Sequence, residues 1–132
     1  MATPQLGTTL RNDMAGNIVT AAAGGTIKLF SGALPADCAA ADPSGELTSA
    51  TLPTPALTAS GGVCTKAGTW TFTGSATGVA ACGRLYTAGA VCFFQGAVSV
   101  TGGGAVFEID NTTINATQNG TVTGVTITVG GA

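Results

Sequence analysis

The sequence contains no histidine and few charges: only 8% of its 132 residues are Asp, Glu, Lys or Arg. The absence of histidine excludes the Ser–His and Cys–His nucleophile pairs of hydrolases, and no CxxC pair supplies a zinc site. The four basic residues are too few for nucleic-acid binding, which needs clustered lysine and arginine. We therefore expect neither an enzyme nor a protein that needs a metal or a cofactor.

Long apolar segments are lacking as well. The longest apolar run is far shorter than the roughly 20 residues that cross a bilayer, and no basic amphipathic helix is present to lie on one. The first residues, MATPQLGTTLRND, are polar and charged without an apolar centre, so they predict no signal peptide. We expect no membrane partner.

Glycine is abundant instead, at 21 of 132 residues, which is well above the usual share of about 7%. The apolar fraction of 45% and the chain length predict one domain, residues 1–132, with a single core. A surface of glycine, alanine and threonine with few charges is weakly solvated. It favours a protein that is largely covered in an assembly, with a low-charge globular or secreted β domain as the plain alternative.

The start of the chain predicts an arm and a helix. Residues 1–7 show no periodicity and predict a flexible arm, and residues 8–23 predict a helix that Thr8 or Thr9 caps. The Gly-Gly pair that follows ends the helix, and residues 26–132 form the β body. One apolar stripe recurs every four residues along the helix and is expected to dock on that body: Leu10, Met14, Ile18 and Ala22.

The β body contains short apolar segments separated by glycine and proline. In TWTFT, Trp70 and Phe72 share one face and threonines the other, which predicts a half-buried strand with both aromatic rings in the core. Gly124 shifts the alternation of the last segment and predicts a bulge. The pattern predicts an antiparallel β-sandwich or jelly-roll-like barrel of about seven to eight short strands. The strand candidates are residues 26–30, 46–52, 69–73, 79–86, 91–100, 105–109 and 120–129.

The four cysteines are Cys38, Cys64, Cys82 and Cys92. Since no signal peptide is predicted, the expected compartment is reducing, which favours free buried thiols over bridges. If all four form bridges, three pairings are possible. Cys82 and Cys92 lie on consecutive strand candidates, but a turn over residues 87–90 would not place them opposite each other.

Two groups of carboxylates are candidate sites. Glu108 and Asp110 share one face of a strand and would suit a glycosidase pair or Ca²⁺, although a solvated strand face is favoured. Asp37, Asp42 and Glu46 would suit a loose Ca²⁺ loop, but their spacing does not fit the EF-hand pattern.

Aromatic and asparagine residues give two further candidates. Trp70, Phe72 and Tyr86 would suit a sugar-binding platform, although core packing is favoured. Three Asn-x-Thr sequences match the glycosylation pattern, and we interpret them as chance matches in a threonine-rich chain: Asn111, Asn115 and Asn119.

The two ends of the chain resemble one family. The opening, TTLRNDMAGNIVTAAAGGTIKLFSGALPA, and the ending, NTTINATQNGTVTGVTITVGGA, resemble virion proteins of tailed bacteriophages. The middle of the chain matches only as a pattern of short β segments, and the cysteines and the segment at Pro53 and Pro55 depart from the family pattern.

The resemblance implies a structural protein of a phage particle, assembled in the host cytoplasm and located in the virion. A capsid decoration (cement) protein is the expected role. Its partners would be the major capsid protein and further copies of the chain, as a dimer or trimer. The alternative is a tail or fibre component that acts as a receptor- or sugar-binding module.

Overall fold

The structure, a computed structural model, describes residues 7–128. In chain order these contain α1 (Thr8–Ala22), β1 (Thr26–Phe30), β2 (Glu46–Thr51), β3 (Leu57–Ser60), β4 (Val63–Lys66), β5 (Trp70–Thr73), β6 (Gly78–Val79), β7 (Cys82–Tyr86), β8 (Cys92–Val100), β9 (Phe107–Ile109), β10 (Thr113–Ile114) and β11 (Asn119–Thr128). The predicted flexible arm lies outside the described residues except for Gly7, and so does Val129.

Nine of these strands form one curled sheet in the order β2-β1-β7-β8-β9-β11-β4-β3, with β5 paired to the first half of β11. Strands β6 and β10 form a second, two-stranded sheet. The predicted mainly β, sandwich- or barrel-like fold is confirmed. One detail differs from the antiparallel prediction, because β8 and β9 run parallel.

The curl of the sheet brings its first strand, β2, back against β5. The backbone N–H of Ser75 donates to the carbonyl of Leu47 at 2.7 Å. The hydroxyl of Thr48 donates to the carbonyl of Thr73 at 2.8 Å. These bonds fasten β2 to β5 at one end only, which leaves the remainder of the seam between the two strands unpaired.

A single core fills the inside of the curl. Trp70 and Phe72 are buried in it, as the alternation of TWTFT predicted. The indole N–H of Trp70 donates to the carbonyls of Ala56 and Ala67, both at 3.1 Å, so its polar atom is satisfied inside the core. The rings of Phe94 and Phe107 pack edge to face at 5.7 Å.

The helix docks through only part of the predicted stripe. Ala22 is buried and Ile18 packs partly buried against the core, whereas Leu10 and Met14 are 50% and 41% exposed. Ala15, which lies outside the stripe, is also buried. Small residues face the sheet because α1 packs closely on β3 and β4, where the Cys64 thiol donates to the carbonyl of Ala15 at 3.2 Å.

The predicted helix cap is also wrong. The N-cap position is Gly7, and no side chain caps the helix. Thr8 and Thr9 both lie inside the first turn.

The strand predictions need three corrections. Strands β3 and β4 follow the two prolines and are absent from the strand candidates; they pair across Gly61 and Gly62, whose positive φ values of 59° and 81° suit glycine. The candidate over residues 79–86 divides into β6 and β7. Residues 111–118, which no strand candidate includes, contain β10, which pairs with β6 and buries Ile114. The bulge near Gly124 is confirmed by a register shift between β11 and β9.

Candidate functional site

The segment 31–45, which we call the strap, covers the outer face of β7. All five residues of β7 are buried, so both of its faces are covered. Gly83 and Leu85 point to one face, and Cys82, Arg84 and Tyr86 point to the strap. The thiol of Cys82 donates to the carbonyl of Gly32 at 3.4 Å, which fastens the beginning of the strap.

Arg84 holds the middle of the strap. Its side chain is 1% exposed, and its guanidinium donates to the carbonyls of Asp37 and Ala40 at 3.0 and 3.1 Å. It also donates to the Asp42 carboxylate at 2.9 Å and to the side-chain oxygen of Gln95 at 3.1 Å. A buried guanidinium is tolerated because its donors are satisfied and its charge is paired. No local pattern predicts that this arginine is internal, because in the alternation of a strand it lies on the face opposite to Leu85.

Asp42 and Tyr86 complete this cluster. The hydrogen bond from the Tyr86 hydroxyl, followed by that from Arg84, holds the pKa of Asp42 below its ordinary value despite partial desolvation. Burial, together with the bond to Asp42, raises the pKa of Tyr86 to about 12. The ammonium of Lys28 lies 5.2 Å from the centre of the Tyr86 ring. Each polar group of the cluster therefore serves contacts within the chain.

A disulfide between Cys38 and Cys92 fastens the strap to β8, with the two Cα atoms 5.4 Å apart. The expectation of free thiols is wrong for these two residues. The strap brings together positions 54 residues apart, which no local pattern reveals. Cys64 and Cys82 are free and buried, and burial raises the pKa of both thiols.

The carboxylates of the hypothetical Ca²⁺ loop bind separate partners. Asp37 accepts the backbone N–H groups of Ala39 and Ala40, and Asp42 accepts from Arg84. Glu46 lies 3.4 Å from the Lys28 ammonium. Within residues 7–128, no group of three or more His, Cys, Asp or Glu side chains is arranged to hold a metal ion.

The second carboxylate pair is divided as well. Glu108 accepts the backbone N–H of Gly104 at 3.0 Å and so fixes the turn before β9, whereas Asp110 is exposed. The two side chains have different surroundings. The carboxylate of Glu108 already has a partner in the turn, so its position requires no ligand.

The aromatic and asparagine candidates are also placed by the fold. Trp70, Phe72 and Tyr86 are 2%, 5% and 7% exposed, so they present no open platform. The three asparagines of the Asn-x-Thr sequences are exposed: Asn111, Asn115 and Asn119.

A groove of about 550 Å³ lies at the open part of the β2–β5 seam. Its floor is formed where the Phe72 ring lies over Gly120, a position at which a Cβ would overlap the ring. The hydroxyl of Thr73 donates to the side-chain oxygen of Asn119 at 3.0 Å on one wall. All lining residues are uncharged: Ser49, Ala50, Thr71, Phe72, Thr73, Asn119, Gly120 and Thr121. Sequence reasoning missed this groove, because it arises from the incomplete closure of the sheet.

No protein-family model, curated protein or solved structure matches this chain. The resemblance to phage virion proteins therefore stays a prediction. Among residues 7–128, no helix combines the length and the apolar character needed to cross a bilayer.

Proposed function

We propose that this protein is a structural subunit of a bacteriophage particle, a capsid decoration (cement) protein that binds the major capsid protein and stabilises the shell. One observation supports this role most strongly: the few charges of the chain are engaged with the chain itself. A surface left with so little charge suits a protein that is permanently packed among other subunits.

The engagement of the charges is extensive. The chain has four basic and six acidic residues. All four basic side chains bind groups of the chain, and at least four of the six acidic ones do so as well. Two ion pairs, a turn and the strap account for most of these contacts. The engaged residues are Arg11, Lys28, Lys66, Arg84, Asp37, Asp42, Glu46 and Glu108.

The surface offers apolar side chains that an assembly would cover. Leu10 and Met14 project from α1, and further exposed apolar residues lie on loops and strand ends. A stable interface buries about 1,600 Å² in total, so a dimer or trimer combined with docking on the shell would cover a large part of a chain this small. Among residues 7–128, the exposed large apolar residues are Leu10, Met14, Leu34, Val79, Val91 and Val100.

The test compares phage particles with and without this protein. We expect the protein to co-purify with shells and complete particles to withstand heating and low salt that open the depleted ones. Adding back the purified protein should restore the resistance. If depleted particles are equally resistant, the proposal fails.

The alternative, a receptor- or sugar-binding module of the tail or fibre, is favoured by the hydroxyl and amide groups that line the groove. The burial of Phe72 disfavours sugar binding, because the lining residues then present no exposed ring on which a sugar could stack. Electron microscopy of particles with the protein labelled would separate the two roles, since one places it on the shell and the other on the tail.

A further inference from the structure

The groove lies between two strand edges that face each other without pairing. In the described part of the chain, β2 pairs only with β1, and β5 pairs only with β11. The bonds at Leu47 and Thr48 close one end of the seam. Beyond them no backbone hydrogen bond joins these two described strands, and the groove lies along this stretch.

The direction of the free backbone groups follows from the two-residue period of a strand. The N–H of Leu52 donates to Gly25, beside β1, so Ser49 and Thr51 direct their backbone groups away from β1. The N–H of Gly74 donates to Gln118, beside β11. By the same period, Thr71 and Thr73 direct theirs away from β11. Apart from the carbonyl of Thr73, which accepts the hydroxyl of Thr48 at the closed end, these donors and acceptors face the seam in which the groove lies.

The geometry points to a binding site for an extended, uncharged peptide segment that adds to these edges as a short strand. We take this segment to belong to the shell protein, an assignment that depends on the proposed function. The backbone groups of the added strand would form hydrogen bonds with β2 on one side and with β5 on the other, which would close the seam.

The size and chemistry of the groove fit this occupant. Strand spacings of about 4.8 Å, 10 Å and 3.3 Å give each residue of a strand about 160 Å³, so a groove of about 550 Å³ holds about three to four residues. Exposed edges are commonly protected by lysine, proline or an inward-pointing charge. Here the lining residues carry no charge, and four of the eight are serine or threonine, so a neutral strand is admitted and a charged one would lose its hydration without compensation.

The first test uses the full chain and a capped heptapeptide of alternating valine and threonine, followed by NMR. We expect saturable shifts of the amides of Ser49, Thr51, Thr71 and Thr73. A variant carrying Ser49→Lys and Thr71→Lys should bind the peptide at least about tenfold more weakly, because lysine at an edge opposes strand addition. The matched control carries Thr58→Lys and Ser60→Lys, two exposed positions of β3, and should bind as the unmodified chain does.

Three outcomes would overturn the inference. One is the absence of shifts at these amides, and another is equal peptide binding by the two double variants. The third is saturable binding of maltotriose in the groove without peptide binding, which would assign the site to a sugar. If the double-lysine variant does not fold, Ser49→Lys alone provides the comparison.

A second test separates this inference from the proposed function. If the unmodified chain attaches to purified shells and the groove variant does not, both are supported. Equal attachment of the two overturns the groove assignment and leaves the decoration role intact. If the unmodified chain does not attach to shells but still binds the peptide, the decoration role fails and the peptide site is supported. Loss of self-association in the groove variant by sedimentation would show that a second copy, not the shell, supplies the strand.

Discussion

The strap and the groove, which lie on either side of β2, differ in whether their polar groups have partners within the chain. Beneath the strap, a buried guanidinium binds a carboxylate and two carbonyls, and a disulfide links the strap to β8. In the groove, hydroxyls and free backbone groups face outward, with no charge among them. The polar groups under the strap have hydrogen-bond partners within the chain, whereas the groove has backbone donors and acceptors without partners among residues 7–128.

This difference indicates which polar residues stabilise the fold and which are available for a partner. In a chain with so few charges, the cluster of Arg84, Asp42 and Tyr86 is an obvious candidate for a binding site. Its geometry shows that its groups are already satisfied by the strap. The inconspicuous serine and threonine residues of the β2–β5 seam are the available ones. Substitutions under the strap should therefore lower the stability of the fold, whereas substitutions in the groove should weaken the binding of a partner.

The largest loss of stability is expected from Arg84→Ala. It removes the packing of a side chain that is 1% exposed and the donor of two part-buried hydrogen bonds, to the carbonyls of Asp37 and Ala40, so we expect a cost of about 3–5 kcal/mol in the free energy of unfolding. Urea denaturation followed by tryptophan fluorescence measures this cost.

The second ion pair of the chain provides the control for that variant. Lys28 and Glu46 are partly exposed, at 29% and 44%, so Lys28→Ala should cost less than about 1 kcal/mol. Similar costs for Arg84→Ala and Lys28→Ala would show that the strap is not held by its buried arginine.

Reduction of the disulfide between Cys38 and Cys92 is expected to have the next largest effect. The bridge closes a loop of 54 residues, so its loss should lower stability by about 2–4 kcal/mol, chiefly by freeing the unfolded chain. Thermal melts with and without dithiothreitol measure this loss. The reductant should have no effect on a Cys38→Ser variant, and an unchanged melting temperature of the unmodified chain would contradict the prediction.

Acid should weaken the strap through Asp42. The pKa of its carboxyl is lowered on folding from an ordinary value of 3.8, so its contribution is present above that pH and is lost as the pH falls below it. Because the side chain is 44% exposed, we expect an effect of about 1 kcal/mol or less.

Asp42→Asn provides the comparison for the acid effect. Its stability should lie below that of the unmodified chain at pH 6, and the gap should close as the pH falls below the ordinary value of 3.8. Urea midpoints at each pH measure the gap. A gap that stays constant down to pH 2 would show that the carboxylate charge has no part in holding the strap.

The sequence predicted the parts of this fold that depend on local pattern. The alternation in TWTFT placed Trp70 and Phe72 in the core, and the phase shift at Gly124 located a bulge. The periodicity of α1 predicted the helix and the inward position of Ile18 and Ala22. It did not predict the first half of the buried face, because the close packing on β3 and β4 selects the small Ala15 over the larger Leu10 and Met14.

The candidate site depends on long-range closure, which no local pattern contains. Arg84 alternates with apolar neighbours like any residue on a solvated face, and only the strap buries it. The groove exists because β2 reaches β5 at Leu47 and Thr48 and no further. A one-residue difference in either register would point different backbone groups into the groove, so its chemistry follows from the sheet topology as a whole.

The smallest effect concerns hydrogen exchange and requires no substitution. If the groove edges are free, the amides of Ser49 and Thr71 should exchange almost as fast as in an unfolded chain. Their neighbours Ala50 and Phe72, which point to β1 and β11, should be protected by a factor of about a hundred or more because they exchange only on opening. The amide of Ser75 is an internal control, since its bond to Leu47 should protect it at the closed end of the same seam. Equal protection of Ser49 and Ala50 would mean that β2 and β5 pair along their whole length in solution. The contrast between a satisfied strap and an open groove would then disappear, whatever the peptide experiments show.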